Sequence, residues 1–200
     1  MKKLLIATTN PGKVIEYRVI LKDLPIELVT LKDAGIKDGV EEDGNSFEEN
    51  AIKKVKFYSK FVDFPALAED AGLEIDYLNG EPGVKTRRWL GRESSDEELI
   101  NLTIEKLKGV PPEQRGAQLK TVIALNINGK INTFEGIIRG IIMEKPIEKI
   151  IMGYPFRSLF YIPKIKKVLG ELSMEEEAEF AHRKQAVEKA LPLIKQYYLC

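Results

Sequence analysis

The chain has 200 residues, of which 44% are hydrophobic, so it can bury the core of one domain. Its 31 Lys and Arg are balanced by 31 Asp and Glu, which excludes the basic field of a nucleic-acid binder or a membrane-surface protein; any anion site must be local. The only cysteine, Cys200, ends the chain, so an intrachain disulfide scaffold is excluded and a reducing cytoplasm fits; Cys200 is expected in a mobile tail rather than pairing two chains on oxidation.

Residues 4–6 form the apolar run of a buried strand. Lys2-Lys3 before it imitates the start of a signal peptide, but the run ends at Thr8 with no small-residue cleavage pattern, and no segment is long enough to span a bilayer. The next stretch, TTNPGK from Thr8 to Lys13, reads as a strand-to-helix turn. Asn10 is a favoured N-cap, Pro11 suits the first helical position, and Val14, Tyr17, Val19, Ile20 and Leu21 follow roughly at helical spacing. Such a turn aims backbone N–H groups, and here the Lys13 ammonium, at one spot, which suits an anion. It is not a Walker A loop: the earlier glycine is missing and Val14 stands where a hydroxyl is required.

Residues 26–31 read as a second strand, and 35–44 as a polar, acidic loop. Ser46 to Glu49 match a capping box, with Phe47, Ile52, Val55, Phe57 and Tyr58 as apolar positions of the helix that follows. Residues 66–68 enter a short strand, a tight turn at Gly72 and a second short strand; 79–89 are loop by their Gly and Pro content. A helix capped at Ser94 or Ser95 runs to Leu107 and is stopped by Val110-Pro111-Pro112. Residues 119–127 and 131–142 form a hairpin through Asn128-Gly129, a dipeptide suited to a type I′ turn. Residues 159–162 read as a further strand, Ser173 to Glu176 as a second capping box, and a last helix runs toward Tyr198 with a break or kink at Pro192. Alternating strands and helices followed by a long hairpin indicate an α/β protein with a mixed sheet, in one domain over residues 1–200.

Acidic residues concentrate in Glu41-Glu42-Asp43 and Glu69-Asp70, each flanking a glycine, Gly44 or Gly72. Carboxylates from two loops can hold Mg²⁺ with its retained waters, and a nearby anion-binding helix start supplies the phosphate partner. Glu69-Asp70 follow an apolar stretch and are expected at a strand end, where α/β sheets place ligands. Lys85, Arg87 and Arg88 form a solvated loop face from which Arg88 can grip a phosphate bidentately. His182, the only histidine, is followed by Arg183.

In order, TTNPGK, EEDGNSFEENAIKK, ALAEDAGLEID, NGEPGVKTRRW, GYP, SMEEE and AHR resemble the Ham1/RdgB-type nucleoside triphosphate pyrophosphatases, also called inosine triphosphatases, over nearly the whole chain. The resemblance implies a two-lobed α/β fold with a long mixed sheet, helices on its faces, a cleft between the lobes, and a homodimer. It implies hydrolysis of nucleoside triphosphates between the α and β phosphates, with preference for deaminated purines, using Mg²⁺. Thr8, Thr9, Asn10 and Lys13 then fall on the triphosphate-binding turn, Glu42 on a metal position, and Asp70 on the catalytic, metal-holding aspartate. Ala71 stands where the family has serine and, with Gly153, Tyr154, His182 and Arg183, belongs to the substrate site.

The chain departs from that pattern where the base is read. Met152 replaces an aromatic residue, no aspartate follows Tyr154, and the segment before Phe160-Tyr161 is about two residues longer. Met152 or Phe156 is then expected to take over the packing against the base. A family lysine is matched by Glu177, expected to turn outward with Glu175 and Glu176 because a carboxylate beside a triphosphate repels it. These departures leave open a second reading with the same chemistry on a different or broader set of bases, and a third as a nucleotide-binding homologue with little turnover.

Overall fold

The computed structural model describes residues 2–199, so Cys200 lies outside the described residues. The apolar run after Lys3 becomes β1 (Lys2–Ala7), which pairs in parallel with β2 (Ile26–Thr30) and β3 (Ala66–Ile75); helices α1 (Pro11–Ile20) and α2 (Phe47–Tyr58) lie in the two crossovers. β4 (Gly116–Ile127), β5 (Lys130–Ile142), β6 (Phe160–Ile162) and β7 (Lys167–Val168) extend the sheet in antiparallel fashion, in the order β2-β1-β3-β4-β5-β6-β7. Asn128 and Gly129 both take positive φ, 51° and 84°, the left-handed pair that a type I′ turn demands, and this sets the β4–β5 register from Ile127 opposite Lys130.

Side chains fix the helix starts as the sequence indicates. Asn10 accepts from the Gly12 N–H with Pro11 at the first helical position, and Ser46 accepts from the Glu49 N–H. Reciprocal capping boxes open α3 (Asp96–Lys106) at Ser95 and Glu98, and α4 (Met174–Ala178) at Ser173 and Glu176.

The long strands pass through two lobes. In one, Leu4, Ile6, Leu67, Ile123 and Leu125 face α1 and α5 (His182–Leu199), while Leu5, Ala7, Ala66, Ala68, Val122 and Ala124 face α2. Burial on both faces is why Leu4 to Ala7 read as an unbroken apolar run. In the other lobe, Leu73, Ile75, Ala117, Ile138 and Ile142 pack with Leu99 of α3 and Phe160 of β6. Residues Glu69 to Gly72 of β3 lie between the two cores.

Three local expectations are corrected. Gly72 is not a turn: β3 is one ten-residue strand, with Gly72 opposite Lys120. A Cβ at Gly72 would stand 2.7 Å from the Gly83 carbonyl oxygen and 2.8 Å from Thr86 Oγ1, so glycine there allows the 3₁₀ segment Gly83–Arg88 to cross the strand closely. Asp70 is therefore mid-strand, not at a strand end. Pro192 neither breaks nor ends α5, whose flanking Ala190 and Ile194 are fully buried against the sheet and hold the helix through the missing hydrogen bond.

Where α5 begins, it presses on β5: a Cβ on Gly136 would lie 1.9 Å from the His182 carbonyl oxygen and 2.8 Å from the Ala186 nitrogen. Gly136→Ala is expected to push the start of α5 off the sheet at about 1–3 kcal/mol, lowering the thermal unfolding midpoint by several degrees. Gly39→Ala, with open space at Gly39, is expected to leave it unchanged; scanning calorimetry of the two variants makes the comparison.

Candidate active site

The site exists because β1 is short. β1 pairs with β3 only as far as Ala7 opposite Ala68, so from Glu69 onward that edge of β3 has no strand beside it among the described residues. Successive strand residues point to opposite faces, and through this open edge both Glu69 and Asp70 reach one cavity of about 580 Å³. That volume is in the range of small-molecule sites.

On the α1 face, the turn after β1 is tied by its own side chains: Asn10 N–H donates to Thr8 Oγ1 (3.2 Å), and Asn10 Oδ1 accepts from the Gly12 N–H (2.9 Å) and the Tyr154 hydroxyl (3.1 Å). Two of the turn's N–H groups are thus satisfied internally, and the positive charge at its mouth is Lys13. Lys13 Nζ stands 2.8 Å from Glu69 Oε1. Buried Glu69 also accepts from Arg183 Nε (2.6 Å), Arg183 Nη2 (2.9 Å) and the Tyr17 hydroxyl (2.5 Å), while Arg183 Nη1 reaches Glu16 (2.5 Å). Burial opposes the charge on Glu69, but Arg183 and then Lys13 outweigh it and hold the carboxyl well below the usual range. Burial also opposes the charge on Arg183, which Glu16 and Glu69 keep well above its ordinary value.

On the α2 face, Asp70 Oδ2 accepts from Asn50 Nδ2 (2.9 Å), and Oδ1 from Lys54 Nζ (3.3 Å) and its neighbour's amide at Ala71 (3.1 Å). Burial raises the Asp70 pKa above the usual aspartate value, against the pull of Lys54 and the Asn50 hydrogen bond. Lys54 Nζ also contacts Glu42 Oε2 at 2.8 Å, so two carboxylates from separate segments converge on one cation. Arg88 crosses to the Glu42 carbonyl oxygen and Arg87 pairs with Asp96.

At the far end, Gly153 N–H donates to Asp96 Oδ2 (2.6 Å), and Tyr154 lies with its ring 5.8 Å from Arg157 Cζ. The expectation that Glu177 turns outward is overturned. It is 2% exposed and forms a buried ion pair with Arg157, while Glu175 and Glu176 stay in solvent. Met152 is 92% exposed and off the cavity wall, so it does not stand in for an aromatic ring, whereas Phe156 lines the wall. His182 is buried beside Arg183, and burial first, then that positive neighbour, push its pKa down to about 3. Its imidazole is neutral at neutral pH.

Thr8, Thr9, Asn10, Lys13, Glu42, Asp70, Ala71, Gly153, Tyr154, His182 and Arg183 all line this cavity. Asn50, Lys54, Glu16 and Arg157 were not singled out from the sequence. Asn50 and Lys54 did leave a signal: they sit four apart and interrupt the buried stripe Phe47, Ala51, Val55 on α2. Arg157 left none, since its partner is Glu177, far along the chain.

Among the described residues no group of three or more His, Cys, Asp or Glu side chains could cage a metal ion. Glu42 and Asp70 nevertheless share one cation in Lys54, and the lining carboxylates equal the lining lysines and arginines in number, six of each. A polyanion entering that balanced site needs added positive charge beside the two carboxylates. A pair of hard oxygen donors fits a hard divalent cation that keeps several of its own waters.

The Ham1 family model matches residues 4–193. The chain is 39% identical over 197 residues to the dITP/XTP pyrophosphatase of Thermoanaerobacter pseudethanolicus, covering 98% of this chain and 96% of that protein. It is 36% identical over 196 residues to the dITP/XTP pyrophosphatase of Bacillus subtilis, covering 98% of each. The solved structure of a HAM1 protein from Coxiella burnetii superposes with a TM-score of 0.84 at 32% identity, covering 98% of this chain and 100% of that one.

Glu69→Gln removes the buried counter-charge of Arg183 and Lys13 and is expected to destabilise the fold by about 3–5 kcal/mol, read by urea unfolding. His182 binds a proton near pH 6.5 when unfolded but only near 3 when folded, so the unfolded chain takes up more protons between these values and stability falls as pH drops through that window. The slope from this one group reaches about 1.4 kcal/mol per pH unit. His182→Gln is expected to shrink the difference in unfolding free energy between pH 7.5 and pH 4.5.

Proposed function

The chain belongs to the Ham1 family, and on that premise we propose that it hydrolyses deaminated purine nucleoside triphosphates, dITP and XTP among them, to the monophosphate and pyrophosphate. The observation that carries the reading is the meeting of Asp70, Glu42, Lys54 and Lys13 in one cleft. Cleaving the α–β anhydride requires a positioned water, a group to take its proton, and positive charge around the phosphates.

Lys13 at the start of α1 meets the triphosphate, and Glu69 fixes where its ammonium points. Asp70 is the base. Asn50 and Lys54 hold its carboxylate in place, and burial raises its proton affinity toward what a general base needs, against the opposing pull of Lys54. It takes the proton of the water as the new P–O bond forms, and pyrophosphate leaves with the electrons of the broken anhydride bond. Glu42 and Asp70 are the residues that would hold Mg²⁺. When bound, the ion supplies positive charge that offsets the phosphates and eases departure of pyrophosphate. No covalent nucleophile is required.

The family resemblance carries the further reading that the working form is a homodimer; the zero net charge supports the lack of a nucleic-acid or membrane-surface partner, and the lone cysteine supports a reducing cytoplasm. Size-exclusion chromatography with light scattering should then give about twice the chain mass. The altered segment around Met152 favours a second reading, the same chemistry on a broader range of bases.

Incubating the protein with Mg²⁺ and a panel of dITP, ITP, XTP, ATP, GTP, CTP and UTP, with pyrophosphate and orthophosphate measured separately, separates these readings. Pyrophosphate from dITP, ITP and XTP and little from ATP or GTP is expected; broad release would move the assignment to the second reading. Chelation should abolish turnover and Mg²⁺ restore it. Asp70→Asn should lower kcat by about 10²–10⁴-fold while a non-hydrolysable triphosphate still binds; unchanged kcat would remove Asp70 from the role of base.

A further inference from the structure

Among the described residues, two polar atoms of the cavity-lining side chains are buried with no hydrogen-bond partner, Arg157 Nε and His182 Nδ1. A buried donor left unmatched is costly, and a native protein retains one where something else supplies the partner. The rest of the Arg157 guanidinium is immobilised. Nη1 pairs with Glu177, and Nη2 donates to the carbonyl oxygens of Leu169 (3.1 Å) and Leu172 (3.0 Å). Arg157 is 3% exposed and Glu177 2%, so the pair is a fixed piece of the wall and not a mobile surface contact.

Tyr154 relates this wall to the phosphate turn. Its hydroxyl bonds Asn10 in the turn, its ring packs so closely on α1 that a Cβ at Gly12 would stand 2.4 Å from the Tyr154 oxygen, and the other side of the residue approaches Arg157. A nucleotide with its phosphates at Lys13 and Asp70 and its base beyond Tyr154 would bring that base to Arg157. A guanidinium has donors only and keeps its proton at any pH the protein survives. Clamped at both terminal nitrogens, it has no rotamer that offers an acceptor.

We propose that Arg157, held by Glu177, is a specificity-determining residue that donates its Nε–H to the 6-oxo group of the purine base. The inference rests on the nucleotide hydrolysis proposed above and names what that site reads. Hypoxanthine and xanthine present an acceptor at C6. Adenine presents an amino group there, whose hydrogens would meet a donor that cannot turn away, and desolvating both without a bond is what excludes it. Guanine shares the 6-oxo group, so its exclusion depends on contacts at the 2-position and not on Arg157.

The test compares kcat/KM of the full-length protein for ITP and for the triphosphate of purine riboside, which carries hydrogen at C6, with pyrophosphate as the readout. The wild-type protein is expected to prefer ITP by about tenfold or more, the loss of one buried hydrogen bond; equal use overturns the proposal without any variant. In Arg157→Met/Glu177→Leu, which removes both charges and strands neither, the preference is expected to collapse toward one while use of purine riboside triphosphate persists. Arg157→Lys keeps a cation opposite Glu177 but lacks Nε–H, and is expected to collapse the preference likewise should the double variant fail to fold. An undiminished preference in whichever variant folds assigns the 6-oxo group to another residue and overturns the proposal. Should the wild-type protein release no pyrophosphate from any nucleotide, the hydrolytic assignment fails by itself, and calorimetric binding of the same two triphosphates then decides the Arg157 contact by the same ratio.

Discussion

One buried carboxylate organises the molecule. Glu69 lies in the middle of the sheet, where an unpaired charge would be costly, and its partners come from two other elements: Lys13 and Tyr17 from α1, Arg183 from the start of α5. Satisfying that single group forces the first turn of the chain, the central strand and the last helix into contact. Glu16 then neutralises the remaining side of Arg183, so the cluster of Lys13, Glu16, Glu69 and Arg183 closes with zero net charge. A site built this way is rigid, because no member can move without stranding a buried charge.

The adjacent residue inherits its place from the same strand. Asp70 points to the opposite face, where α2 supplies Asn50 and Lys54 from successive turns. The early end of β1 leaves an open sheet edge at this dipeptide, and through it the two faces become two walls of one cleft. Phosphate chemistry and structural anchoring are thus separated by a half-turn of the backbone and not by distance along the chain.

The cleft is divided by Tyr154. Its hydroxyl bonds Asn10 of the phosphate turn, and its ring lies 5.8 Å from Arg157 Cζ, with Phe156 and Leu169 also on the cavity wall. Buried and neutral, His182 can present a donor or an acceptor by choice of tautomer, whereas Arg157 can only donate. The Arg157–Glu177 pair adds little to stability compared with well-packed apolar residues of the same volume, so its position on the cavity wall points to recognition.

What the residues determined by themselves is everything set within a few positions of the chain. The Asn10 cap with Pro11, the capping boxes at Ser95 and Ser173 and the Asn128-Gly129 turn are all decided by local hydrogen bonds and backbone sterics, and the ordered motifs they punctuate carried the family and the outline of the site. Tertiary structure decided the rest, because the deciding partner was remote. Gly72 is strand and not turn because Gly83 crosses over it; α5 stays whole at Pro192 because the sheet holds both its sides; Glu177 faces inward because Arg157, twenty residues earlier, pairs with it there; and Met152 is left in solvent. A charge pattern such as Glu175-Glu176-Glu177 reads as a solvated face until its burial is known, since local sequence contains the charge but not the partner that neutralises it.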